Sequence, residues 1–482
     1  MTHRYLLNWA LLPQGWARDV AVTVAESGLV TALAVGTAAH TGVSAERVAG
    51  FTVPGMPNAH SHAFQRALAG AAEYRASARD SFWTWRRAMY ALANRIEPQD
   101  LEVIATQLFI EMLKAGYTSV AEFHYLHQPR DSARAADAAR ASDSAVPSPG
   151  NNALWEAVRR AARASGIGLT LLPTLYQTAD FGGAPLRQEQ LRFRMESDDF
   201  LRAIEDCIAA DRRDPCPSLR TGAAFHSLRA VPMETLHATA LQLRRVDPTM
   251  PVHVHVAEQL REVEASRRAT GLRPIETLLR SGLPNEHWCL VHCTHATRAE
   301  LAGIAASRAT VCVSISTEAN LGDGIFDALS FLRAGGRLCV GSDSQSTVDP
   351  AEELRWMEYQ QRLRRKRRVV LASAGEAHAG TELWRSAASH GAQALGQPIG
   401  EIAAGRRADW IVLDDNHPAM AGAQPESALD HLIFAGGAAA IRDCMVAGRW
   451  VVKDRRHPQE EPIRERFAAL LRRLSPAPAD RA

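Results

Sequence analysis

The chain has 482 residues, 46% of them hydrophobic and 22% charged, the balance of an ordinary folded protein rather than a disordered or fibrous one. Fifty-five Lys+Arg against 53 Asp+Glu leave a formal charge of +2, so the molecule has no broad field for gripping nucleic acid or an anionic membrane. The seven cysteines carry no repeated CxxC pair and read as reduced thiols of a cytoplasmic protein. Pro13 and Gly15 interrupt the short apolar run at the start, which is not expected to act as an export signal. No apolar run reaches the roughly 18 residues that a membrane span needs.

In chain order, residues 1–50 hold short alternating strands separated by glycine turns, and residues 396–455 do the same. The two pieces are expected to pair into one small β-sandwich-like domain. Between them, over 51–395, short Val/Ile/Leu runs alternate with longer Ala/Leu/Arg/Glu stretches, the pattern of parallel strands joined by crossover helices. Eight runs are found, at 51–62, 118–126, 168–176, 221–229, 251–258, 288–295, 309–316 and 337–344. They predict an α/β chain with a (β/α)8 TIM-like barrel, with an open doubly wound sheet as the competing arrangement. Residues 456–482 are expected to form a helical tail. The small, polar segment 130–150 reads as a surface insertion after the second strand, and RRKRR at 364–368 as a solvated helix face rather than a phosphate patch.

The chemistry concentrates where these runs end. His60 and His62 are two apart, so on a strand both imidazoles point to one side. The fifth run carries His253, His255 and Glu258, the sixth His292 and His295, and the eighth ends at Asp343. Barrel chemistry is done at the C-terminal ends of strands. Three imidazoles and a carboxylate with an open position describe a catalytic Zn²⁺ site, with Fe²⁺ or Mn²⁺ as alternatives. Lys114, Lys366 and Lys453, the three lysines, fall away from those strand ends, so a single ion is expected rather than a lysine-bridged pair.

The HxH after the first strand, His and Glu on the fifth, His on the sixth and Asp on the eighth resemble the mononuclear deaminase branch of the amidohydrolase superfamily. Within it, PGMPNAHSHAFQRALAG (54–70), FWTWRRAMY (82–90), EFHYLH (122–127), FHSLRAVP (225–232), HVAEQ (255–259), STEANLGDG (316–324) and GSDSQ (341–345) resemble the formimidoylglutamate deiminases of histidine degradation. The resemblance implies His60, His62, His255 and Asp343 as metal ligands, Glu258, His292 and Asp343 as catalytic groups, and Gln65, Arg86, Tyr125, His226 and Arg229 around the substrate. It also implies a homodimer. A cationic amidine with two carboxylates needs an acidic partner at one end and guanidinium forks at the other, which Glu258 and the pair Arg86 and Arg229 supply. His253, His295 and His124 are read as packed or supporting imidazoles, and Cys289 and Cys293 as core thiols. Two other readings compete. One is a deaminase of a guanine-, cytosine- or adenosine-like ring, which favours aromatic and amide contacts over two arginines. The other is a non-catalytic scaffold, which need not keep the full ligand set.

Overall fold

The computed structural model describes residues 2–36, 45–74, 80–129 and 153–474, and the expected insertion at 130–150 lies outside them. The terminal sheet is built from β1 (His3–Leu12), β2 (Gly15–Val24), β3 (Val30–Val35) and β4 (Glu46–Pro54). The barrel strands follow as β5 (Met56–Ser61), β6 (Tyr117–His124), β7 (Gly168–Leu175), β8 (Leu219–Thr221), β9 (Ala223–Ser227), β10 (Val252–Val256), β11 (Trp288–His292), β12 (Thr310–Val313) and β13 (Arg337–Val340). β14 (Trp410–Leu413), β15 (Ile441–Val446) and β16 (Arg449–Val452) return to the terminal sheet. Its order is β16-β15-β14-β4-β1-β2-β3, so both ends of the chain form one continuous seven-stranded sheet. A second core of alternating side chains, including Tyr5, Leu7, Val20, Val22 and Trp410, lies against it.

The barrel strands pair in parallel in the order β5-β6-β7-β9-β10-β11-β12-β13, with the short β8 added beside β7. β6, β7, β10 and β11 are buried along their whole length, which explains their near-continuous apolar runs. The seam between first and last strands closes where the Ser342 and Asp343 amides both donate to the His60 carbonyl at 3.0 Å. Gly341 allows that approach, because a Cβ there would sit 2.7 Å from His60 Cβ and 2.8 Å from its backbone. Asn58 pins the same seam: its Nδ2 donates to Ser342 Oγ at 2.7 Å and its Oδ1 accepts from the Ser342 amide at 3.1 Å.

One expected boundary moves. The apolar run beginning at Phe51 is two strands: Phe51–Pro54 finish β4 in the terminal sheet, paired with Trp410–Leu413, and the barrel strand starts only at Met56. Gly55 makes the transfer, packed so tightly on Thr118 that a Cβ would meet its side chain at 2.2 Å. At the N-terminal end of the barrel, the helix Ala379–Leu395 runs beneath the strands, and its Leu395 carbonyl accepts from Thr170 Oγ1 at 2.9 Å. The basic run at 364–368 begins in the last turn of the helix Pro350–Arg365 and is largely exposed, with Arg365 paired to Asp327 at 2.8 Å. No helix among the described residues is long and apolar enough to cross a membrane.

Candidate active site

The strand ends deliver the predicted ligands to one place. His60 is the next-to-last residue of β5, and His62 follows it at the start of a short 3-10 turn. Glu122 of β6 shapes that turn by accepting from Ser61 Oγ at 2.7 Å and from the Ala63 amide at 2.6 Å. His255 lies on β10 beside His226 and His292, and Asp343 follows β13. Ala257, His292, Cys293 and Asp343 have φ of 53°, 72°, 52° and 43°, a left-handed backbone that non-glycine residues adopt at a cost. These four strained residues lie at the C-terminal ends of β10, β11 and β13.

The donor atoms themselves fit a cation. His62 Nδ1 is 2.8 Å from the Phe123 carbonyl and His255 Nδ1 is 2.9 Å from the His226 carbonyl. Carbonyls only accept, so both Nδ1 atoms carry the proton and both Nε2 atoms present lone pairs. His255 Nε2 then faces His60 Nε2 at 3.0 Å, and Asp343 Oδ1 lies 3.4 Å from the Nε2 atoms of both His60 and His62. Tetrahedral ligands about 2.0–2.1 Å from a zinc ion lie about 3.3 Å from one another, so these gaps match. Burial disfavours the protonated imidazoles: it lowers His60 and His255 and, with the mutual repulsion of His60 and His62 when protonated, takes His62 down to about 3. Burial works against the charge of Asp343, but His60, His292 and His62 outweigh it and hold the carboxyl below its usual range. Two triples of donor atoms converge and share His60: His60 with His62 and Asp343, and His60 with His255 and His292.

Glu258 and His292 stand beside this cluster, 3.9 Å apart, with His292 Nε2 3.8 Å from Asp343 Oδ2. Burial pushes Glu258 up to about 7. The same burial opposes a charged His292, yet Glu258, Glu318 and Asp343 together carry it up to about 10.

A cavity opens over the cluster, lined by His62, His255, Glu258, His292 and Asp343 and by all five residues expected around the substrate. Gln65 Nε2 donates to Tyr125 OH at 2.9 Å, while Gln65 Oε1 is buried without a partner. Burial holds the Tyr125 phenol well above its usual value, so it stays protonated. His226 rests edge-on against Tyr176, 4.5 Å between ring centres. Arg86 Nη2 donates to Tyr176 OH at 3.2 Å, and the guanidinium lies 5.0 Å above the Tyr90 ring. Arg229 is 6% exposed and its Nε has no partner. Among the described residues neither arginine has a carboxylate within ion-pair distance.

The remaining expectations fall outside the cavity. His253 Nε2 faces the Ala394 carbonyl at 2.8 Å, and His124 Nε2 that of Leu126 at 2.8 Å. Cys289 and Cys293 are buried free thiols. None of the three lysines lines the cavity; Lys114 pairs with Glu460 and Lys453 with Glu46 at 2.9 Å.

Sequence reasoning overlooked three contributors. Glu318 Oε1 lies 3.3 Å from His292 Nδ1, Tyr176 holds Arg86, and Trp83 underlies several guanidiniums. Glu318 sits in the STEANLGDG segment, Trp83 in FWTWR and Tyr176 at the end of the third run, so position along the chain was the available signal.

The sequence profile of the amidohydrolase family matches residues 51–451. Formimidoylglutamate deiminase of Pseudomonas aeruginosa is 47% identical over 465 residues, 96% of this chain and 98% of that protein. The crystal structure of an amidohydrolase from Brucella melitensis superposes with a TM-score of 0.88 at 37% identity, covering 98% of this chain and 99% of that one. An adenosine deaminase from Xanthomonas campestris, crystallised with bound zinc, shares the fold at a TM-score of 0.79 and 21% identity, covering 98% of both chains.

Proposed function

We propose that this chain, which belongs to the amidohydrolase family, hydrolyses N-formimidoyl-L-glutamate to N-formyl-L-glutamate and ammonia. The observation that carries the reading is the pair Arg86 and Arg229, two guanidiniums without carboxylate partners in the cavity that also holds the His/Asp cluster and Glu258. A buried cation left unpaired is costly, so the pocket favours a ligand that brings two carboxylates. The full-length likeness to formimidoylglutamate deiminase of Pseudomonas aeruginosa supports the same substrate.

His60, His62, His255 and Asp343, linked by the close His60–His255 and Asp343–His60/His62 approaches, would hold one divalent ion, which when bound supplies Lewis acidity and a water acidified toward neutral pH. The chain's own groups do the rest. Arg86 and Arg229 bind the carboxylates, with Gln65, Tyr125 and His226 fixing the remaining oxygens. Glu258 hydrogen-bonds the amidinium nitrogen and turns the formimidoyl carbon toward the attacking water. Asp343 accepts the proton that water loses, and His292 donates to the oxygen on which charge develops. Water adds to the carbon, the proton returns to the terminal nitrogen, and the C–N bond breaks to release ammonia.

Zinc is the metal of this reading, supported by neutral imidazoles and one carboxylate at tetrahedral spacing. The family resemblance supports a cytoplasmic homodimer acting in histidine degradation. The test is ammonia release from formimidoylglutamate, guanine and cytosine by metal-stripped and zinc-reloaded protein. Turnover of formimidoylglutamate restored by zinc is expected; ring turnover without it overturns the proposal.

A further inference from the structure

Two carboxylates account for two guanidiniums, but a third stands at the same aromatic ring. Arg261 lies 4.4 Å above Trp83, whose ring is also 5.5 Å from the Arg86 guanidinium and 5.8 Å from that of Arg229. Arg261 is exposed and occupies the second position of the helix Leu260–Thr270, immediately after Glu258 and Gln259. A cation in the first turn of a helix opposes the helix dipole, which favours acidic side chains there. Among the described residues no carboxylate lies within ion-pair distance of Arg261. The nearest acid in sequence, Glu262, turns both oxygens inward to the amides of Ala257 and Glu258, at 3.0 and 3.1 Å. The arginine thus breaks a local rule without an internal partner. What holds it is the indole face, and stacking leaves the in-plane N–H groups of a guanidinium free to donate.

We infer that Arg261 is a specificity-determining residue which draws dianionic substrates into the cavity and selects them over monoanionic or neutral amidines. The inference rests on the dicarboxylate reading above and deepens it. Three cations around one ring, two of which line the cavity, raise the local positive potential beside a low-dielectric cleft in a chain of nearly zero net charge, and such fields accelerate capture of anions until salt screens them. Arg261 acts on capture and retention, while the reacting carbon meets Glu258, His292 and Asp343.

The experiment compares wild type, Arg261→Gln and Arg261→Lys, all zinc-loaded, at low and high ionic strength. At low salt Arg261→Gln is expected to lower kcat/KM for formimidoylglutamate about three- to tenfold with kcat within about twofold, and high salt is expected to erase the difference. Arg261→Lys should recover most of the loss, because charge outlasts the stack. Formamidine, which has no carboxylate, should react equally with all three. Calorimetric binding of glutarate to the same proteins needs no turnover and should weaken by a similar factor in Arg261→Gln. Equal glutarate affinity and equal kcat/KM in wild type and Arg261→Gln at low salt, or a loss that persists at high salt and extends to formamidine, overturns the inference. Wild-type protein that binds glutarate in an Arg261-dependent way but leaves formimidoylglutamate intact upholds the inference and overturns the proposed reaction.

Discussion

At the N-terminal end of the barrel Arg407 is fully buried and donates only within the chain, to Asp409 at 2.8 and 2.6 Å, to the Pro217 carbonyl at 3.0 Å, and to Gln397 and Ser119. At the C-terminal end Arg86, Arg229 and Arg261 have no carboxylate within ion-pair distance among the described residues, although Glu258 and Glu262 lie within electrostatic reach of Arg229. Both sets are cations of one chemistry in one barrel. The difference teaches where to look for a ligand: a guanidinium whose donors are all taken fastens the terminal sheet to the barrel, and one whose donors are open is waiting for charge from outside.

The comparison is broken most forcefully at the ligand cluster. Asp343→Asn removes a carboxylate facing His60 and His62, and ammonia release is expected to fall about a thousandfold or more, with bound metal measured in parallel. Normal turnover by this variant would place the chemistry elsewhere. At the closed end, Arg407→Ala strands Asp409 in the core and should cost about 3–5 kcal/mol of stability in a denaturant titration, leaving turnover per folded molecule within about twofold. A large loss of activity without loss of stability would dissolve the distinction between the two ends. Arg86→Ala sharpens it from the open end: removing one charge-assisted contact should cost about 1.5–3 kcal/mol, felt as one to two decades in KM with stability nearly unchanged. If both kinetic constants stay put, Arg86 does not touch substrate.

The barrel was readable because buried parallel strands are apolar on both faces and stand out as runs bounded by glycine and proline. The runs at 118–126 and 168–176 end within two residues of β6 and β7. The break at Gly55 was hidden for the same reason: Phe51–Pro54 and Met56–Ala59 are equally buried, and only pairing partners tell the two sheets apart. Within the site, His60 and His62 were legible from their spacing, whereas Glu318, Tyr176 and Arg261 were not. Each acts on a residue far along the chain or on a different element, His292 for Glu318, Arg86 for Tyr176 and Trp83 for Arg261. Periodicity reports which side of its own element a residue faces and carries nothing about what arrives there from elsewhere.

The seam joining β5 to β13 has a bearing on how the molecule is made. Its earliest donors, His60 and His62, leave the ribosome long before Asp343, which completes both the strand closure and the ring of donors. A chain that stops short of residue 343 carries His60, His62, His255 and His292 but not the carboxylate that faces His60 and His62. On the single-ion reading proposed above, the four-donor set is therefore complete only once the eighth strand has been made.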